Sequence, residues 1–111
     1  MHTIQNEVLL VTIKEAGAEL DSIYHKQNRL DYLWGGDPAF WAKKSPVLFP
    51  IVGALKNNHY IFKGKTFSLA RHGFARERVF TVCNQSEDAI SFLLKSDAET
   101  LEVFPFVFEL I

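Results

Sequence analysis

Apolar and polar positions alternate along this chain in short runs, broken by turn residues about every 8–12 positions, a pattern that predicts a sandwich or barrel of short strands. Val8 to Ile13 is an unbroken run of β-branched residues and leucine, which predicts a strand buried on both faces. Ala16-Gly17 ends it. The next segment alternates, with Ala18, Leu20, Ser22 and Tyr24 on one face and Glu19, Asp21, Ile23 and His25 on the other. That is a half-exposed strand, paired with the first as a hairpin. After the polar turn Lys26 to Arg29, Leu30 to Trp34 predicts a short strand. His59 to Phe62 and Thr66 to Leu69, joined by Lys63-Gly64-Lys65, predict a tight hairpin. Arg78 to Cys83 and Ala89 to Lys95 predict two more strands, with Phe80, Val82, Ile90, Phe92 and Leu94 facing the core. Phe106 to Ile111 predicts a last one. Ser96 with Glu99 has capping-box spacing and predicts a helix of about two turns, ending before Pro105.

Two segments break the alternation. Gly35-Gly36-Asp37-Pro38 predicts a turn capped by Asp37, with Pro38 in the first helical position. Trp34, Phe40 and Trp41 are then expected in the core. Ser45 to Gly53 is apolar yet holds Pro46 and Pro50, so it predicts a loop or edge segment. It serves either as a buried connection between sheets or as a rigid floor beneath a pocket.

Composition suits one all-β domain. The chain has 111 residues, 48% of them hydrophobic and 14% aromatic, enough to fill a core without disorder. The formal net charge of −1 gives no broad basic surface, so a nucleic-acid partner is not expected. The single cysteine, Cys83, has no internal partner and reads as an inert small hydrophobe in a strand, consistent with a reducing cytoplasm. No apolar run approaches the roughly 20 residues that span a bilayer. No membrane partner is therefore expected, and the location read from these features is cytoplasmic.

Candidate chemistry concentrates in Arg71-His72-Gly73-Phe74-Ala75-Arg76. Gly73 removes a side chain beside His72, so a ligand can approach the backbone. Arg71 and Arg76 offer forked donors to hydroxyl, carboxylate or phosphate oxygens. Phe74 offers an apolar wall. The competing reading makes His72 a loop cap, Phe74 core and both arginines solvated. Replacing His72 with Ala is expected to weaken ligand binding without unfolding the protein. His2, His25 and His59 lack metal-ligand spacing, so no metal or other cofactor is expected. The aromatic side chains, Tyr60 among them, offer faces on which a sugar can stack.

Several pieces then coincide in order: Gly17-Ala18-Glu19-Leu20, Tyr32-Leu33-Trp34, Asp37-Pro38 with Trp41, Ser45-Pro46-Val47-Leu48-Phe49-Pro50-Ile51-Val52-Gly53, and His72-Gly73-Phe74-Ala75-Arg76. Together they resemble the N-terminal third of the aldose 1-epimerase (galactose mutarotase-like) family, most closely its LacX-type branch. The resemblance implies an antiparallel β-sandwich of which residues 1–111 form one N-terminal portion. It also implies interconversion of sugar anomers on a monosaccharide, hexose or hexose phosphate. A base deprotonates the anomeric hydroxyl and an acid protonates the ring oxygen. In the family these are a glutamate and a histidine later in the chain than Ile111. No catalytic residue is therefore expected here, and the chain is expected to be a fragment with little or no activity. His72 is similar to the family's earlier, substrate-binding histidine. Many members carry an arginine after the glycine of the proline-rich run, whereas Gly53 is followed by Ala54, Leu55 and Lys56. A non-catalytic carbohydrate-binding domain, or a homo-oligomer formed through exposed edge strands, is the alternative.

Overall fold

The computed structural model describes all 111 residues and is nearly all β. The first sheet runs in the order β1 (His2–Gln5), β2 (Leu9–Ile13), β3 (Leu20–His25) and β4 (Leu30–Asp31), each antiparallel to the next. The β2–β3 hairpin forms as the alternation predicts, pairing Val11 with Ile23. β1 was not expected from its composition. Asn6 makes it possible, because its side-chain oxygen accepts from the Val8 and Leu9 amides (2.9 and 2.8 Å) and turns the chain back on itself.

The second sheet is the hairpin β5 (His59–Phe62) and β6 (Lys65–Ser68). Its two turn residues, Lys63 and Gly64, both have positive φ (48° and 75°), the backbone that closes a two-residue hairpin with the correct twist. The third sheet runs β7 (Thr81–Gln85), β8 (Ile90–Lys95) and β9 (Glu109–Leu110), with α1 (Ala98–Val103) between β8 and β9.

The helix starts one residue later than the spacing suggested. Asp97, not Ser96, is the cap, and its box partner is Thr100, not Glu99. Asp97 Oδ1 accepts from the Thr100 amide (2.8 Å), and the Asp97 amide donates to Thr100 Oγ1 (2.9 Å). A carboxylate at the helix start is favoured over a hydroxyl by the backbone N–H groups it faces. Glu99 instead accepts from Arg78 (2.7 Å).

The main core cluster is Ile13, Ala75, Phe80, Phe92 and Leu94, where the first and third sheets meet; Phe67 and Leu69 are buried apart from it. Around it the molecule is a slab of 57 × 35 × 15 Å. Facing sheets alone stand about 10 Å apart, so a body this thin holds little more than one packed layer. That is why β2 is not buried on both faces. Leu9 to Thr12 are half-buried and only Ile13 is fully covered. Cys83 is exposed on β7 at a register shift, so it is not a core hydrophobe.

Candidate functional site

The His72 segment is built by two loops that clasp each other through their backbones. One is the proline-rich run ending at Gly53; the other is the turn from Arg71 to Ala75. The His72 amide donates to the Gly53 carbonyl (2.8 Å), and the Gly53 amide donates back to His72 Nδ1 (2.8 Å). The amides of Phe74 and Ala75 both donate to the Phe49 carbonyl (2.9 and 3.2 Å). The Gly73 amide donates to the Ala70 carbonyl (2.9 Å), closing the turn. The donors and acceptors that two proline-interrupted loops would otherwise leave unpaired are thus spent on each other.

Gly73 has a different job from the one its sequence context suggests. Its φ is 69°, and a Cβ there would overlap the Phe49 carbonyl oxygen. The space beside His72 is filled by another stretch of the same chain, not left for a ligand. The same device recurs behind the site. Gly17 (φ 71°) lets the β2–β3 turn approach the Arg76 backbone, where a Cβ would stand 2.9 Å from the Arg76 carbonyl oxygen. The Gly17 amide donates to the Arg78 carbonyl (2.7 Å), and Phe80 N–H to Glu15 O (2.9 Å). The first sheet thereby braces the turn carrying Arg76.

His72 itself has φ 66°, a left-handed backbone uncommon for a residue with a side chain. It is half-buried, and its hydrogen bonds to Gly53 hold it there. Because Nδ1 accepts from the Gly53 amide, the imidazole proton sits on Nε2. Nε2–H makes no hydrogen bond within the chain and is the free donor of the clasp.

The neighbouring residues divide. Arg71 is exposed, and its guanidinium has no protein partner. Arg76 is half-buried, donates through Nη2 to the Arg71 carbonyl (3.2 Å), and stands 4.0 Å from Glu77. Phe74 packs into an aromatic cluster, its ring centroid 6.1 Å from Phe49 and 5.9 Å from Phe108. Arg71, His72 and Arg76 are brought together around one turn, while Phe74 turns toward packing. Four concavities mark the surface formed by these residues, and His72 lines none of them.

Sequence reasoning did not find Gly53 and Phe49 as partners of His72. Both lie in the proline-rich run, where prolines that cannot donate mark a segment whose carbonyls must find donors elsewhere. That run is a connection packed against the His72 turn, with no pocket above the stretch Phe49 to Gly53 that meets it. It begins at β3, where Ser45 Oγ donates to the Leu20 carbonyl (3.0 Å), and ends beneath His72. Lys44 anchors its start, donating to the Asp21 carbonyl (2.8 Å) and carboxylate (2.9 Å). Lys44 and Lys14 hold the Asp21 carboxyl below its ordinary range by hydrogen bonding to the ionised form.

The aromatic faces are placed otherwise than expected. Trp34, Phe40 and Trp41 are 43, 82 and 55% exposed and do not enter the core. They pack on one another, with Trp34 and Phe40 edge to face at 6.4 Å and Trp34 Nε1 donating to the Trp41 carbonyl (2.7 Å). Tyr60 is spent on structure, its ring stacked on Phe67 and its hydroxyl donating to the Val103 carbonyl (2.6 Å).

Known proteins match this chain in sequence and in backbone path. Protein LacX of Lactococcus lactis subsp. lactis, in plasmid and chromosomal forms, is 38% identical over 112 residues, which take in 96% of this chain and 37% of LacX. A galactose mutarotase related enzyme from Lactobacillus acidophilus superposes with a TM-score of 0.94 at 45% identity, over 97% of this chain and 36% of that one. A galactose mutarotase-like protein from Lactobacillus casei gives 0.94 at 39% identity, over 98% and 37%. The chain therefore spans a little over a third of the length of these relatives. The aldose 1-epimerase family model matches residues 1–111 from end to end, and the chain belongs to the aldose 1-epimerase family.

Proposed function

We propose that residues 1–111 are one N-terminal portion of a mutarotase-like β-sandwich domain, presenting part of a monosaccharide-binding surface. The observation that carries this reading is the fixed tautomer of His72. A backbone amide locks Nδ1, so Nε2–H is a pre-oriented donor whose geometry costs a sugar hydroxyl little entropy to meet. Arg71 and Arg76 flank it as further donors, and Phe74 stiffens the turn from behind. The opposite wall of the cleft, with the acid and base that open and reclose the sugar ring, belongs to polypeptide outside these residues. Residues 1–111 alone then bind sugar weakly and support little or no anomer interconversion.

Amide NMR of the chain, titrated with glucose and galactose, tests this. The amides of Gly53 and of Arg71 to Arg76 are expected to shift, and to stay still in His72→Asn. That variant retains an acceptor for the Gly53 amide and tolerates positive φ, yet lacks the Nε2 donor. No movement at those amides, or equal movement in His72→Asn, overturns the reading. Rapid anomerisation of glucose by the 111-residue chain would overturn the placing of acid and base elsewhere.

A further inference from the structure

The main core is covered from one side only. Its residues Phe80 and Phe92 form the floor of a surface cleft of about 440 Å³, and Ala18, Val47, Ile90 and Leu110 form the walls. Ser91 supplies the one polar side chain there, and no charged residue lines the cleft. Ile111 stands at its rim, 79% exposed. Apolar side chains that close off a core normally face other apolar groups; these face water.

The whole molecule shows the same shortfall of cover. Its accessible surface is 7524 Å². A folded monomer of 12.7 kDa exposes about 6,200 Å² by the usual scaling of surface with mass, so this chain carries an excess of about 1,300 Å². The shape is the cause, because a slab of 57 × 35 × 15 Å leaves a broad face of its single packed layer uncovered. A stable interface buries about 800 Å² from each partner, and obligate homodimers bury more. The excess is thus of the size a second copy covers, and larger than a small apolar ligand seated in the cleft would cover.

The surface is also self-complementary. The cleft is a hole, and the Ile111 side chain beside it is a knob. A twofold axis sets each copy's knob against the other's hole. β9, which brings Leu110 to the cleft wall, is the edge strand of its sheet, with no neighbour on its outer side. Charge does not oppose approach. Glu109 of β9 is paired with Lys95 (2.9 Å), and the net charge is only −1.

We infer that two copies of this chain pack face to face over the cleft, with the Ile111 side chain of each entering the cleft of the other. The inference is independent of the sugar-binding reading of His72. Sedimentation velocity of the 111-residue chain between about 1 and 100 μM tests it. A closed species of twice 12.7 kDa is expected to grow with concentration at the monomer's expense. Ile111→Lys should raise the dissociation constant about tenfold or more, because a charge would then enter an apolar cleft. Ile61→Lys, at a position 73% exposed on the β5–β6 hairpin and outside the cleft, should leave it unchanged. In the unaltered chain, amide exchange at Ile90 to Phe92 and at Leu110 should slow as concentration rises, a readout that needs no variant. A monomer throughout that range overturns the inference, and an apolar dye held in the cleft at every concentration would then point to a small apolar ligand. Polymers that grow without limit overturn it too, since they report a contact that does not close. Equal weakening by Ile61→Lys and Ile111→Lys overturns it by showing association that does not depend on the cleft.

Discussion

Two irregular regions of this molecule look alike in sequence and are tied to the rest of the fold in different ways. The loop from Trp34 to Lys44 and the pair of loops around Gly53 and His72 are both rich in glycine, proline and aromatics. The first has only local backbone bonds, the Phe40 and Trp41 amides on the Asp37 carbonyl, and is otherwise held by side chains: an indole on a carbonyl, Asp37 Oδ1 accepting from the Ala39 amide (2.9 Å), and Lys44 on Asp21. The second is held by backbone, through the amides of His72, Phe74 and Ala75 on the carbonyls of Gly53 and Phe49. Backbone pairing fixes geometry without rotamer freedom and without charge. A donor aimed at a ligand gains from that, and His72 sits on the backbone-held region. The exposed aromatics sit on the other.

The sharpest way to break this contrast is Gly73→Ala. It forces a Cβ into the Phe49 carbonyl at φ 69° and should cost about 3 kcal/mol or more, by overlap and strain together. A much lower denaturant midpoint, or failure to fold, is the expected outcome. Retention of wild-type stability would show that the clasp is loose.

His72→Ala removes the acceptor for the Gly53 amide and places Ala at positive φ. The cost should be about 1–2 kcal/mol, since a half-buried N–H loses its partner. His72→Asn should recover much of it in the same denaturation experiment. A purely functional view of His72, in which alanine leaves stability unchanged, does not survive this geometry.

Acid should separate the two regions. The Asp21 carboxyl lies below its ordinary 3.8, chiefly through hydrogen bonds from Lys44 and Lys14. A depressed carboxyl contributes stability that is fully present above the ordinary value and lost as pH falls through the lowered one. Between about pH 4 and 2 the Lys44 anchor should therefore weaken, by at most about 1 kcal/mol. Trp34 and Trp41 fluorescence should report the change. Asp31, depressed by the Ser22 hydroxyl, and Asp97, depressed by the Thr100 amide, add to acid lability in the same direction. The clasp has no carboxylate in its hydrogen bonds, so amide exchange at Gly53, His72 and Phe74 should hold until global unfolding. Simultaneous loss would show that the regions are one cooperative unit.

The smallest effect is expected from Phe40→Ala. With Phe40 82% exposed, truncation should change stability by about 0.5 kcal/mol or less. A larger loss would mean that the aromatic loop carries more of the fold than its exposure implies.

The hairpins were legible because alternation and turn chemistry are local. β2 with β3, β5 with β6 and β7 with β8 each pair neighbours in sequence, and Lys63-Gly64 announces its own turn. β1 was missed because its four residues are held by a turn made by Asn6, with little hydrophobic signal of their own. The helix cap slipped by one residue because Ser96 and Asp97 both satisfy the spacing, and only the direction in which each side chain points separates them. Around the site, the clustering of His72, Arg71 and Arg76 about a glycine drew attention to this turn. The partners Gly53 and Phe49 were not legible, since no local rule pairs two loops far apart in sequence.

The order of residues by itself determined an all-β chain, its main hairpins and its place in the aldose 1-epimerase family, because these depend on short-range periodicity and on spacing along the chain. Tertiary structure alone decided that Trp34, Phe40 and Trp41 stay at the surface, that Gly73 makes room for a carbonyl, and that Nε2 carries the free proton of His72. The reason is physical. Burial, close approach and tautomer are set by which distant groups meet, and hydrophobicity along a chain records how much a residue gains from being covered, not whether anything arrives to cover it.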